Sequence, residues 1–182
     1  MTRRSWFVVA ALVGLAACGS DPGPGTVHLY DHAPVPAVPD RTLPIEAALV
    51  QDGTITGALP DGVYWAVATG EGDGSHIGFD LSQALFGPTC MAELSADDCP
   101  NDYGVIDNPH GAVTAVAADL QIVSVVDADQ QNYAVEGPEL AALAHGSAPA
   151  AAAPAGFEYV GFPFLLTVSN GTIIEARQIW VP

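Results

Sequence analysis

Phe164-Leu165-Leu166-Thr167-Val168-Ser169-Asn170-Gly171-Thr172-Ile173-Ile174 reads as a β-hairpin. Asn-Gly between two runs of apolar and β-branched residues is the strongest short-range sign of a two-residue type I′ turn, because both central residues need positive φ. A two-residue loop sets Val168 opposite Ile173, Leu166 opposite Glu175 and Phe164 opposite Arg177. Glu175 and Arg177, two apart on a strand, then share one face and form an intrachain pair.

The same punctuation recurs toward the N-terminus. Asp61-Gly62 is a turn before the strand Val63 to Ala68, and Gly70-Glu71-Gly72-Asp73-Gly74 turns the chain into Ser75 to Phe79. Asp80 with Gln83 three residues on has capping-box spacing, which predicts a short helix over Leu81 to Phe86 stopped by Gly87-Pro88. Tyr103 to Ile106, Val113 to Ala117 and Gln121 to Val126 read as further strands. Gly137-Pro138-Glu139 opens a second short helix that Gly146 ends, and an Ala-Pro loop follows over 147–155. The expected fold is mainly β: a small twisted antiparallel sheet, or a partly closed barrel, of five to seven strands with two short helices. It occupies residues 45–182 as a single domain.

The N-terminus carries an address. Arg3 and Arg4 precede an apolar run from Trp6 to Ala17, too short for the ~20 residues a bilayer span needs. Leu15-Ala16-Ala17-Cys18 resembles the lipobox, in which the cysteine after the small residues is acylated and becomes the mature N-terminus. Residues 1–17 are expected to be a lipoprotein signal peptide, Cys18 the lipidated residue, and the location the cell membrane on its extracytoplasmic side. Thr2-Arg3-Arg4-Ser5-Trp6-Phe7 fits either a plain basic segment or a twin-arginine signal. From Cys18 to Pro44 the chain reads as a Pro- and Gly-rich tether that lifts the domain several tens of ångströms from the membrane.

Charge narrows the partners. Loss of Arg3 and Arg4 takes the formal net charge from −17 to −19 and leaves Arg41 and Arg177 as cations, with no lysine. Nucleic-acid binding is excluded, since it runs on Lys and Arg. Anionic headgroups repel such a surface, so membrane contact rests on the lipid. The acidity keeps an exported protein soluble, or it draws cations or a basic or envelope protein partner. With Cys18 acylated, Cys90 and Cys99 remain, and export favours a disulfide closing a ten-residue loop.

Several short landmarks together resemble a family of uncharacterised exported actinobacterial proteins. They are Asp61-Gly62, Phe79-Asp80-Leu81, Leu85-Phe86-Gly87, Pro100-Asn101-Asp102-Tyr103, Asn108-Pro109, Leu165-Leu166-Thr167-Val168, Asn170-Gly171 and a Gln178-centred end. The likeness covers about residues 60 to 182 in order. Gly104 stands where a second aromatic is usual, and Glu175-Ala176-Arg177-Gln178 where Glu-Glu-Gln is. The resemblance implies architecture and carries no activity.

Candidate chemistry is sparse. Asp97, Asp98, Asn101 and Asp102 crowd around Cys99 and would offer oxygens to Ca²⁺, although turn chemistry places Asp and Asn in the same way. Asp127-Ala128-Asp129-Gln130-Gln131 opens like an EF-hand but has Asn132 at the glycine and Pro138 at the bidentate Glu position. His28 and His32 have helical i, i+4 spacing among prolines that oppose a helix. His76, His110 and His145 stand apart, and Asp80 is explained as an N-cap. Tyr64, Trp65, Phe162, Phe164 and Trp180 read as core or barrel-wall residues rather than a ligand cage. No catalytic residue is assigned. A surface-tethered binding or protein-interaction module fits best, with a hydrolase using carboxylates near Asp80 and Asp102, or a structural envelope protein, as alternatives.

Overall fold

Asn170 and Gly171 adopt φ values of 51° and 73°, the two positive angles of a type I′ turn, and join β8 (Phe164–Ser169) to β9 (Thr172–Gln178). Val168 faces Ile173 as the turn dictates. Below that pair a β-bulge at Ile174 moves the register by one residue. Leu166 therefore faces Ala176 rather than Glu175, and Phe164 faces Gln178 rather than Arg177. The reason is burial. Cross-strand partners share a sheet face, so the unbulged register would set Glu175 beside the fully buried Leu166. The bulge sends Ala176 and Gln178 inward and leaves Glu175 and Arg177 together on the outer face, Oε2 to Nε 3.3 Å.

The computed structural model describes residues 28–181. Seven more strands join the hairpin: β1 (Val50–Gln51), β2 (Thr54–Ile55), β3 (Gly62–Ala68), β4 (His76–Phe86), β5 (Tyr103–Val116), β6 (Ile122–Val126) and β7 (Asn132–Val135). They form one sheet in the order β1-β2-β5-β4-β3-β8-β9-β6-β7. The fold is mainly β with two short helices, α1 (Gly87–Glu93) and α2 (Gly137–Ala144). Its nine strands exceed the expected five to seven, and the sheet is open and mixed rather than antiparallel throughout, since β2 runs parallel to β5 and β6 to β9.

The inner face carries Tyr64, Ile77, Phe79, Leu81, Val125, Phe164 and Leu166, covered by Leu140 and Leu143 of α2. Gly137 lets α2 approach closely, because a Cβ there would sit 1.8 Å from the Ala117 carbonyl oxygen. The outer face has its own cluster of Trp65, Ala84, Leu165 and Ile179. These two faces explain the main local correction. Leu81 to Phe86 is not a helix but the end of the eleven-residue β4, and Asp80 is a mid-strand residue opposite Val67 and Ala112. Leu81 and Leu85 point to one side, Ala84 and Phe86 to the other. A strand covered on both sides loses the alternation that marks it in sequence. Gly87, at φ 54°, breaks the strand, and Gly87-Pro88 opens α1 instead of stopping a helix. Cys90 of α1 is bonded to Cys99 with Cα atoms 6.0 Å apart, over Leu85, Leu94 and Ile106.

The segment expected to be free tether up to Pro44 is a strap from residue 28 onward. It is extended, as its prolines require, but hydrogen-bonded. Tyr30 N donates to Ala134 O at 2.7 Å and Ala33 N to Asn132 O at 2.9 Å, which covers the open edge of β7. Thr42 N donates to Ala84 O near the end of β4 and Leu43 N to Val63 O near the start of β3, two central strands of the sheet. Tyr30 enters the core, edge-on to Phe157 with ring centres 4.9 Å apart, and its hydroxyl donates to Glu139 Oε1 at 2.5 Å. Residues 1–27, with the signal and Cys18, lie outside the described residues.

Candidate functional site

The strap crosses the outer face between these two anchor points and meets the C-terminal residues Ile179, Trp180 and Val181. Ile179 is held there by its N–H on Pro163 O at 2.8 Å and by burial. Alternation after Ile179 turns Trp180 outward, and it remains 40% exposed. Val35 and Val38 of the strap are exposed beside it, while Pro36 is buried.

Two hollows share Val38, Ile179 and Trp180 as a common wall. The first, about 360 Å³, is bounded by Phe86, Tyr103, Asp40, Asn101 and Asp102. Its aromatic wall is backed by the buried Trp65: the Trp65, Phe86 and Tyr103 rings stand with centres 5.5 Å apart in each pairing. Burial raises the Tyr103 phenol above its ordinary range, partly offset by a hydrogen bond with Trp65, so this phenol stays neutral at physiological pH. Asn101 and Asp102 hold φ of 56° and 58°, a left-handed pair uncommon outside glycine, at the rim of this hollow. The second hollow, about 260 Å³, is lined by Val35, Pro36, Gln130, Asn132 and Gln178. Gln178 is satisfied: its Oε1 accepts from Val126 N, and its Nε2 donates to the Val160 and Phe162 carbonyls. Asn132 is not, for its Oδ1 is buried and accepts no hydrogen bond.

The arginines among the described residues are paired elsewhere. Arg41 pairs with Glu93 and Arg177 with Glu175. Asp40 and Asp102 thus give the first hollow an acceptor-rich, anionic rim.

The residues expected to hold calcium separate. Ser95 Oγ donates to Asp98 at 2.6 Å in a local turn, whereas Asn101 and Asp102 line the Trp180 hollow. Among the described residues no three His, Cys, Asp or Glu side chains gather as a metal site. Asp127 Oδ1 accepts from the Asp129 and Gln131 amides, both at 2.9 Å, which makes the EF-hand-like stretch the β6–β7 turn. His32 stacks on Tyr133 at 5.1 Å instead of facing His28 across a helix. Asp73 accepts from the Ser75 hydroxyl and His76 Nδ1, which hold its carboxyl well below the usual range. Ser75 and Asp73 both address the same imidazole nitrogen, so the trio is a loop brace and not a relay with the nucleophile at the other nitrogen. The His110 side chain lies outside the described residues.

Tyr64, Trp65 and Phe164 are core residues as expected, but Trp180 is not. Its exposure follows from one step of alternation past the bulged strand, which no local pattern reveals. Asp40 and Asn132 likewise gain their positions only from the strap crossing the sheet. No protein-family model, no curated protein and no solved structure matches this chain.

Proposed function

We propose that this chain is an extracytoplasmic lipoprotein, anchored through Cys18, whose domain is a binding module with the Trp180 face as its site. The observation that carries the reading is an exposed tryptophan between two shaped hollows, on a face walled by the strap that leads to the lipid. An amphipathic ring left in solvent on a packed wall is a typical recognition anchor. The strap is hydrogen-bonded to the sheet from its first residues, and the nine positions 19–27 between Cys18 and the strap can reach no further than about 30 Å even when fully extended. The site then works close to the membrane surface. A carboxylate hydrolase is less well supported. Asp80 lies six residues along β4 from Phe86, whose strand partner Tyr103 follows Asp102. That separation is about 20 Å, too far for one acid–base pair.

Two measurements test the reading. Cys18→Ala is expected to shift the protein from the detergent to the aqueous phase, and unchanged partitioning would remove the anchor. A photo-crosslinking residue at Val35 is expected to give a discrete adduct in intact cells that Met91, exposed on α1, does not give. Equal labelling from both positions would remove the site.

A further inference from the structure

We infer that the Trp180 face takes an arginine-bearing basic segment of a partner protein, the guanidinium lying on the indole and donating into the two hollows. This rests on the binding reading above and names its ligand chemistry. Three observations converge on it. First, the first hollow combines aromatic faces, Phe86, Tyr103 and Trp180, with the carboxylates of Asp40 and Asp102. A cation over an aromatic ring gains from the ring quadrupole, and Arg gains most where it also stacks. Second, the charged groups of the face and its one buried unpartnered atom among the described residues are acceptors. Asp40 and Asp102 are acceptors, and the Asn132 Oδ1, in a residue 8% exposed, has no donor. A guanidinium carries five donors and no acceptor, so it answers this set where a ligand rich in both, such as a sugar, leaves acceptors of its own unmatched. Asn132 lines the second hollow, and a terminal sp³–sp² torsion is soft enough for Oδ1 to turn toward an entering donor. Third, no cation among the described residues competes. Arg41 and Arg177 are each engaged with a glutamate of this chain, and the whole carries formal charge −17. The long-range field then draws a basic partner in, and the Trp180 face selects among basic residues.

The experiment uses the mature chain in neutral detergent with 5-fluorotryptophan, so that Trp65 and Trp180 give separate ¹⁹F resonances. The probes are tetra-arginine, tetra-lysine and maltotetraose at 150 mM NaCl, with affinities from labelled-probe anisotropy. Tetra-arginine is expected to move the Trp180 resonance saturably, leave Trp65 in place, and bind at least tenfold more tightly than tetra-lysine. Asp40→Asn with Asp102→Asn should weaken it tenfold or more, and so should Trp180→Ala. The matched neutralisation Asp52→Asn with Asp119→Asn, on the β1–β2 turn and after β5, should change it less than twofold. Equal binding of the lysine probe, or equal weakening by both aspartate pairs, would mean diffuse charge attraction and overturn the inference. A Trp180 shift with maltotetraose and none with tetra-arginine would overturn it while leaving the binding site standing. Silence from all three probes would also overturn it, and the crosslink from Val35 then decides whether the site itself survives.

Discussion

Tyr30→Ala tests whether the proline-rich segment belongs to the fold. Tyr30 is 6% exposed, packs edge-on to Phe157 at 4.9 Å and lies 6.3 Å from the Tyr133 ring. Truncating a buried aromatic to alanine costs about 3–5 kcal/mol through lost transfer energy and the cavity left behind. The lost hydroxyl also withdraws a donor from Glu139, which keeps the Ala150 amide at 2.8 Å. Tyr30→Phe isolates that second part, at about 1.5–3 kcal/mol for a hydrogen bond to a carboxylate. Backbone strain does not separate the variants, since φ at position 30 is 65° and neither Ala nor Phe tolerates it better. The expected order of stability is therefore parent, Tyr30→Phe, Tyr30→Ala. Against a total of about 5–15 kcal/mol the alanine variant is severely weakened. At about 2–4 °C per kcal/mol for a chain of this size, its melting point falls by about 6–20 °C. Urea unfolding followed by the fluorescence of Trp65, which is buried, reads the loss. A midpoint equivalent to within about 0.5 kcal/mol of the parent, the usual result for a surface change, would refute the strap and return residues 28–44 to a free tether.

Alkaline pH offers a second test. Burial pushes the Tyr159 phenol up to about 12, and its hydroxyl has no partner among the described residues. A folded pKa above the unfolded value of about 10 gives stability that is complete below pH 10 and lost as pH rises toward 12, up to about 3 kcal/mol. Tyr159→Phe should be neutral or stabilising at pH 8 and should flatten the decline between pH 10 and 12; an unchanged urea midpoint profile counts against it. For the Cys90–Cys99 bridge, mass spectrometry without reductant should find neither thiol free. The double alanine variant should lose about 2–3 kcal/mol, as closing a short loop predicts, and quantitative alkylation of the unreduced protein would contradict the bond.

Signals confined to a few neighbouring residues were legible in the amino-acid order. Asn170-Gly171 determined its turn, because the need for two positive φ values belongs to those residues alone. Gly146, at φ 78°, ended α2 for the same reason, Pro138 opened it through its fixed φ at the first turn, and the nine-residue separation of Cys90 and Cys99 sufficed for the disulfide once the chain was read as exported. Tertiary structure decided wherever a residue's role depended on what covered it. Leu81 to Phe86 became strand because both of its faces are buried, which erases the period of two and lets a capping-box spacing mislead. The bulge at Ile174 exists to keep Glu175 out of the core, and only the packed sheet shows where the core lies. Proline-rich residues 28–44 carry no period at all, yet they cover the open edge of β7 at one end and bond to the end of the central strand β4 at the other, where backbone groups need donors and acceptors that local sequence does not announce. The Trp180 face is built entirely from such long-range decisions. Its tryptophan, its strap and its buried asparagine are 48 to 145 residues apart in sequence and meet only when the chain closes over the outer face of the sheet.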